Sequence, residues 1–193
     1  MRQLTGRLLN TLGFDRPPFK LVLLSGIPAT GKSTFGRWLQ KERGFLHWDL
    51  EKQLVLALDG RRLAWPGLLT TRAGIRRFVR ELGRMHPRVV LDWGFPPERL
   101  PIIVALQEEG VEAWWFDGDR TAAVESFQRR GTVPMEAWNI QLPKIDHHWS
   151  RIEETFGLRM IKTLDANGHY ADPGQISRRI LDEPESSCAG DSP

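Results

Sequence analysis

Cysteine is almost absent from this 193-residue chain. Cys188 stands alone, which excludes an intrachain disulfide and a cysteine-built metal site and fits a reducing, cytoplasmic setting. Long hydrophobic runs are missing as well. No stretch approaches the roughly 18 to 20 continuous apolar residues of a membrane span, and the opening MRQLTGRLLNTLGF lacks the unbroken apolar core of a signal peptide. The expectation is a soluble, unexported protein with no membrane partner. Charge of one sign is scarce too: 27 Lys and Arg face 24 Asp and Glu, a balance that does not by itself announce a nucleic-acid binder. Only six of the cations are lysine, so the chain favours the side chain that forks onto phosphate or carboxylate. No internal repeat, low-complexity tract or linker divides it. With 40% apolar and 26% charged residues, one domain with a sizeable core is expected.

Leu4, Leu8, Leu9 and Leu12 recur at helical spacing, so residues 1–15 read as a short amphipathic extension docking on a domain that spans 16–182. The closing residues 183–193, rich in acids, proline and small polar side chains, read as a flexible tail. Between them lie five β-like runs, at 20–25, 45–48, 88–93, 112–116 and 158–164, separated by stretches long enough for helices. Such alternation builds a parallel sheet covered by helices on both faces, a three-layer α/β/α fold. LVLL and VVL lack polar alternation, as central strands covered on both faces require.

The strongest signal is GIPATGKST at 26–34, which matches G-x-x-x-x-G-K-[S/T] and sits between a strand and a helix. Glycines let backbone N–H groups reach phosphate oxygens, and the helix N-terminus adds its positive end. Gly26, Ile27, Pro28, Ala29, Thr30, Gly31, Lys32, Ser33 and Thr34 are the expected nucleotide-binding loop. Lys32 reaches the β and γ phosphates, and the Ser33 hydroxyl is placed to ligate Mg²⁺. Phe35, Trp38 and Leu39 share one helical face that anchors the helix on the sheet. A second acid, Asp92, ends the apolar strand VVLD and is the expected second metal-site residue. Trp93 follows it where motor-type ATPases carry glutamate, and N-K-x-D is absent, which disfavours motors and GTPases.

GIPATGKST, HWD at 47–49, VVLDWGFPPER at 89–99 and SFQRRGTVP at 126–134, in that order, resemble the small P-loop kinases of the polynucleotide-kinase, zeta-toxin and chloramphenicol-phosphotransferase-like group, the ATP-binding proteins often grouped as AAA-family. The resemblance covers about residues 20 to 180. It implies a sheet of order 2-3-1-4-5 with a small lid, and ATP and Mg²⁺ as cofactors. It also implies that Asp49 deprotonates the acceptor hydroxyl, that Arg129 and Arg130 act from the lid, with Arg120 a weaker candidate, and that the loop at 165–174 lies near the adenine. Asp49 can also cap a helix starting at Leu50, and both roles are compatible. Ala29 stands where that group often has glycine, a departure that restricts the loop slightly while leaving its donor positions intact.

From Arg61 to Arg88 there are eight arginines and one acid, Glu81. Ile75, Phe78, Val79 and Leu82 form one helical stripe there, with Arg72, Arg76, Arg77, Arg80 and Arg84 on the opposite arc. In the resembling kinases this region docks the acceptor, so Arg72, Arg76 and Arg80 are candidate acceptor-binding residues, and a phosphorylated acceptor such as a nucleotide or nucleic-acid end is one candidate; a merely solvated helix face is the other reading. Trp48, Trp65 and Trp93 can stack a base or line an apolar pocket, whereas Trp114 and Trp115 read as core. His147 and His148 read as helix surface rather than metal ligands. The leading expectation is transfer of the γ-phosphoryl of ATP to a hydroxyl; the alternative is an ATP-binding regulatory module whose lid and basic helix engage an acidic partner.

Overall fold

The computed structural model describes residues 19–131 and 133–181. The amphipathic extension with Leu4, Leu8, Leu9 and Leu12, the tail and Cys188 lie outside the described residues. The first strand β1 (Lys20–Gly26) feeds helix α1 (Lys32–Arg43), then β2 (Leu46–Asp49). A hairpin follows, β3 (Val55–Leu58) and β4 (Arg61–Ala64), then α2 (Arg72–Met85), β5 (Arg88–Asp92) and α3 (Leu100–Glu108). The remainder is β6 (Glu112–Gly118), α4 (Arg120–Arg130), α5 (Met135–His147), α6 (Trp149–Phe156), β7 (Met160–Leu164) and α7 (Pro173–Leu181).

Five strands pair in parallel in the order β2-β5-β1-β6-β7. Counted within that sheet the order is 2-3-1-4-5, as the resemblance implies. β1 is the centre. Its residues alternate between two cores: Leu21 and Leu23 point into one, Val22 and Leu24 into the other. A period of two on a sheet covered on both faces requires this, and it is why β1 reads as uninterrupted hydrophobic sequence. On one face α1 and α7 contribute Phe35, Leu39, Ile176 and Ile180. On the other lie Ile75, Phe78 and Leu82 of α2, Ile103 and Leu106 of α3, and Ile152 and Phe156 of α6. Trp114 and Trp115 divide between the two cores, as adjacent strand residues must.

The β3–β4 hairpin is the element that the sequence reading lacks. Asp59 (φ 49°) and Gly60 (φ 76°) form its two-residue turn, and positive φ at both positions is the geometry that Asp-Gly favours. Leu56 pairs with Leu63 across the ladder and both are buried, which seats the hairpin on the α2 side of the molecule. Among the described residues no helix is long and apolar enough to cross a membrane.

Candidate active site

β1 stops at Gly26 because its backbone lies against β6. With φ at 136°, a Cβ there would run into the Phe116 carbonyl, so only glycine fits. The chain then loops through Ile27–Gly31 and enters α1. Interactions from three directions hold the loop. Ile27 N donates to Phe116 O at 3.1 Å, and the Thr163 hydroxyl of β7 donates to Thr30 O at 2.8 Å. Tyr170 donates its hydroxyl to Ala29 O at 2.8 Å, and the Ser126 hydroxyl of α4 lies 2.6 Å from the Tyr170 hydroxyl oxygen. Ile27 is therefore an anchor: its side chain is buried in the core and its N–H is spent on β6. The N–H groups from Ala29 to Thr34 have no protein acceptor among the described residues, and they crowd at the N-terminus of α1 as an anion cradle. Ala29 is left-handed, φ 62°, which explains why related loops favour glycine there.

Lys32 is buried, and its Nζ donates to Gly26 O (3.1 Å) and Ile27 O (2.7 Å). Burial pulls its pKa below the ordinary lysine range; Asp92 and Glu51 oppose that shift, and Arg130 adds to it. Asp92, Glu51 and Arg130 are thus near enough for their charges to act on the ammonium. Asp92, at the end of β5, is only 4% exposed. Burial alone would raise its pKa, but the side chains of His47 and Ser33 and the charge of Lys32 outweigh this and hold it below the usual carboxylate range. The fold thus brings the Ser33 side chain within reach of Asp92. His47 Nε2 lies 3.9 Å from Asp92 Oδ2, beyond hydrogen-bond reach, and neither atom has a hydrogen-bond partner. A buried carboxylate oxygen without a donor, beside a serine hydroxyl, is an oxygen donor set suited to Mg²⁺, which keeps its remaining positions for water and phosphate. No cluster of three or more His, Cys, Asp or Glu side chains suited to a metal occurs among the described residues. His147 and His148 stack edge to face on each other at the end of α5.

Asp49 ends β2 directly opposite Asp92 in the register. The expected helix at Leu50 does not form. Asp49 instead caps a tight turn: Oδ1 accepts from Glu51 N and Lys52 N, both at 3.1 Å, and Oδ2 pairs with Lys52 Nζ at 2.7 Å. That turn delivers Glu51, which the sequence reading does not single out. Glu51 stays accessible to solvent, yet its Oε1 is tucked so closely against Gly94 that a Cβ there would lie 2.5 Å away. This partial desolvation, with Asp92 and Asp49 adding to it, raises its pKa against the opposing pull of Lys32 and a backbone hydrogen bond at Gly94. The usable signal is a second acid two residues past a strand-ending Asp.

Of the lid residues, Arg130 is felt by Lys32 and stacks on Phe127 at 5.4 Å, whereas Arg129 has no carboxylate within 4 Å among the described residues. Gly131 ends α4 in the left-handed conformation, as expected. Arg120, the weaker candidate, is held between two acids and an indole. It lies 3.6 Å from both Asp117 and Asp146 and covers the Trp149 ring. Tyr170 is the informative residue of the 165–174 loop, its ring over Gly31 and half exposed.

Arg72 and Arg76 pair with Glu108 and Glu109. These glutamates close α3 just before β6 begins, at the end of the strands opposite the loop at 26–34. Arg80 lies 4.0 Å from Glu81. The structure does not bring these three arginines to the phosphate cradle. Trp48 is wholly buried against Phe78, its indole N–H on Gln53 O. Trp93 is buried between Trp65 and Phe95. Neither presents a face for stacking a base.

No protein-family model matches the chain, and no curated protein matches it. Solved structures do. A shikimate kinase from Acinetobacter baumannii, in complex with shikimate, is similar over 86% of this chain and 96% of its own, at 15% identity and a TM-score of 0.53. A sugar kinase from a Janibacter species, unliganded, is similar over 86% and 94%, at 16% identity and a TM-score of 0.52. At such identities the likeness speaks to architecture. With the parallel order 2-3-1-4-5 and the glycine loop between β1 and α1, this chain has the fold of the P-loop kinases.

Proposed function

We propose that the protein transfers the γ-phosphoryl group of ATP to a hydroxyl of a small molecule. One observation carries the reading: N–H groups without protein acceptors, the Lys32 ammonium, the Ser33–Asp92 pair and the Asp49–Glu51 carboxylates converge at the carboxyl ends of β1, β2 and β5. A cradle for phosphate, an oxygen site for a cation and a base for a hydroxyl are the three parts that phosphoryl transfer needs.

The backbone N–H groups and Lys32 hold the β and γ phosphates. Ser33 and Asp92 would hold Mg²⁺, which when bound offsets phosphate charge. The acceptor oxygen bonds to phosphorus as the bridging bond to the β-phosphate breaks, ADP carries away the electron pair, and a carboxylate takes the hydroxyl proton. Arg130, on the lid side of Lys32, stabilises charge on the transferring group. Asp49 is the base in this reading. A second assignment, Glu51, is favoured by a specific observation: both Asp49 oxygens already accept hydrogen bonds. Tyr170 then flanks the nucleotide beside Gly31. Because Arg72 and Arg76 are tied to Glu108 and Glu109, the acceptor we propose is a small hydroxylated metabolite and not a nucleic-acid end.

The test is incubation with γ-labelled ATP, Mg²⁺ and a panel of sugars, hydroxy acids and nucleosides. Label should move to one chemical class, and Lys32→Ala should abolish transfer. Asp49→Asn and Glu51→Gln separate the two bases, since loss of the true base costs roughly a hundred- to ten-thousandfold in turnover while ATP still binds. ATP binding with no labelled acceptor, and partner affinity that responds to ATP, would establish the regulatory module instead.

A further inference from the structure

Away from the cradle, the β3–β4 hairpin and the C-terminal half of α2 form an open concavity of about 500 Å³. Four arginines line it, Arg61, Arg62, Arg77 and Arg84, with Glu81 as its single acid and Leu63 and Met85 as its apolar wall. Arg77 and Arg84 lie seven residues apart on α2 and so share a face, distinct from the face where Arg72 and Arg76 find Glu108 and Glu109.

The charges in this cavity are poorly compensated. Glu81 already accepts from Arg84 at 2.7 Å. Arg61 donates only to a neutral group, the Arg84 carbonyl at 3.2 Å. Arg62 and Arg77 have no carboxylate within 4 Å among the described residues. Guanidinium groups gathered in one concavity repel each other unless an anion joins them, and their planar forks match phosphate oxygens in pairs.

Position separates this cavity from the active site. Arg84 and Met85 close α2 just before Arg88 opens β5, while Asp92 and the phosphate cradle lie at the other end of the strands. Size and surroundings select the ligand. A concavity of this volume, open on one side to solvent, suits a small molecule. A nucleic-acid strand needs cations continuing along a track; on α2 Arg80 adds one more beside Glu81, but toward the start of the helix Arg72 and Arg76 are neutralised by Glu108 and Glu109. We infer that this cavity is a second anion site, which binds a small molecule carrying two or more phosphate groups.

Calorimetric titration with inorganic pyrophosphate tests this, in a Lys32→Ala background that weakens the cradle. A saturable site should remain, Arg62→Ser with Arg77→Ser should weaken it by about tenfold or more, and Arg72→Ser with Arg76→Ser should leave it unchanged. If the Arg62 and Arg77 serine variant does not fold, Arg62→Lys with Arg77→Lys keeps the charge, removes the fork and should still weaken binding severalfold. Absence of a saturable site in Lys32→Ala, or affinity indifferent to Arg62 and Arg77, would overturn the inference. So would a single-stranded oligonucleotide that displaces pyrophosphate at lower phosphate concentration and depends on Arg72 and Arg76, an outcome that assigns the face to nucleic acid.

Discussion

Ala29 holds a left-handed backbone, φ 62°, that costs an L-residue with a Cβ roughly 1 to 2 kcal/mol. Its carbonyl is fastened by the Tyr170 hydroxyl, so the loop keeps that shape at its own expense. Ala29→Gly should therefore raise stability by about 1 kcal/mol in urea unfolding, and Tyr170→Phe, which removes the fastening hydrogen bond, should lower it by about 1 kcal/mol. At Glu51 the pKa is raised, so the folded state resists its ionisation. For a carboxylate of this kind the contribution to stability is fully present below the unfolded pKa and lost as pH rises through the folded one. Glu51→Gln should then be more stable than the parent at neutral pH, with the difference shrinking in acid. Thermal melts from pH 4 to pH 8 measure it. If Glu51 is also the base, the acidic limb of the rate profile lies above the ordinary carboxylate range and vanishes in Glu51→Gln.

Helix α4 carries Arg130 toward Lys32, and its start is set by Asp119, whose side chain accepts from Ala122 N at 3.0 Å. Asp119→Ala should cost about 1 kcal/mol. With Arg130 in its proposed role, it should also reduce turnover more than ATP affinity, because the helix that carries that arginine loosens first. Single-turnover kinetics distinguishes the two effects. Elements with strong local signals agree with their sequence patterns: β1, β5 and the apolar stripe of α2 at Ile75, Phe78 and Leu82 lie where their periodicity places them. The hairpin at 55–64 carried a signal too, Asp59-Gly60, but its strands are four residues long and each buries one leucine, too little alternation to stand out. The expected helix after Asp49 failed for a tertiary reason. Leu50 N is drawn to Asp92 O at 2.9 Å, which extends the strand pairing past Asp49 and leaves room only for a turn.

For the whole molecule, the proposed function links nucleotide binding to folding, because the cradle exists only when β1, β6 and β7 are assembled around it. ATP with Mg²⁺ at a hundred times its dissociation constant should stabilise the protein by about 2.7 kcal/mol, and Lys32→Ala should erase the gain. Asp92 sets a pH boundary on the same linkage. Its folded pKa is lowered, so its contribution is present above the unfolded value and lost as pH falls through the folded one; acid unfolding of Asp92→Asn should lack that component.

The sequence alone determined the alternation of strands and helices, the glycine loop with Lys32 and Ser33, and the strand that ends in Asp92, because each depends on residues close together in the chain and on backbone rules that act locally. Only the tertiary structure decided which charges are free. α3 brings Glu108 and Glu109 to Arg72 and Arg76, the hairpin brings Arg61 and Arg62 to Arg77 and Arg84, and a turn held by β5 swings Glu51 toward Lys32. Charge acts through space, and the spacing of arginines along one helix does not say which carboxylates the other elements will carry to it.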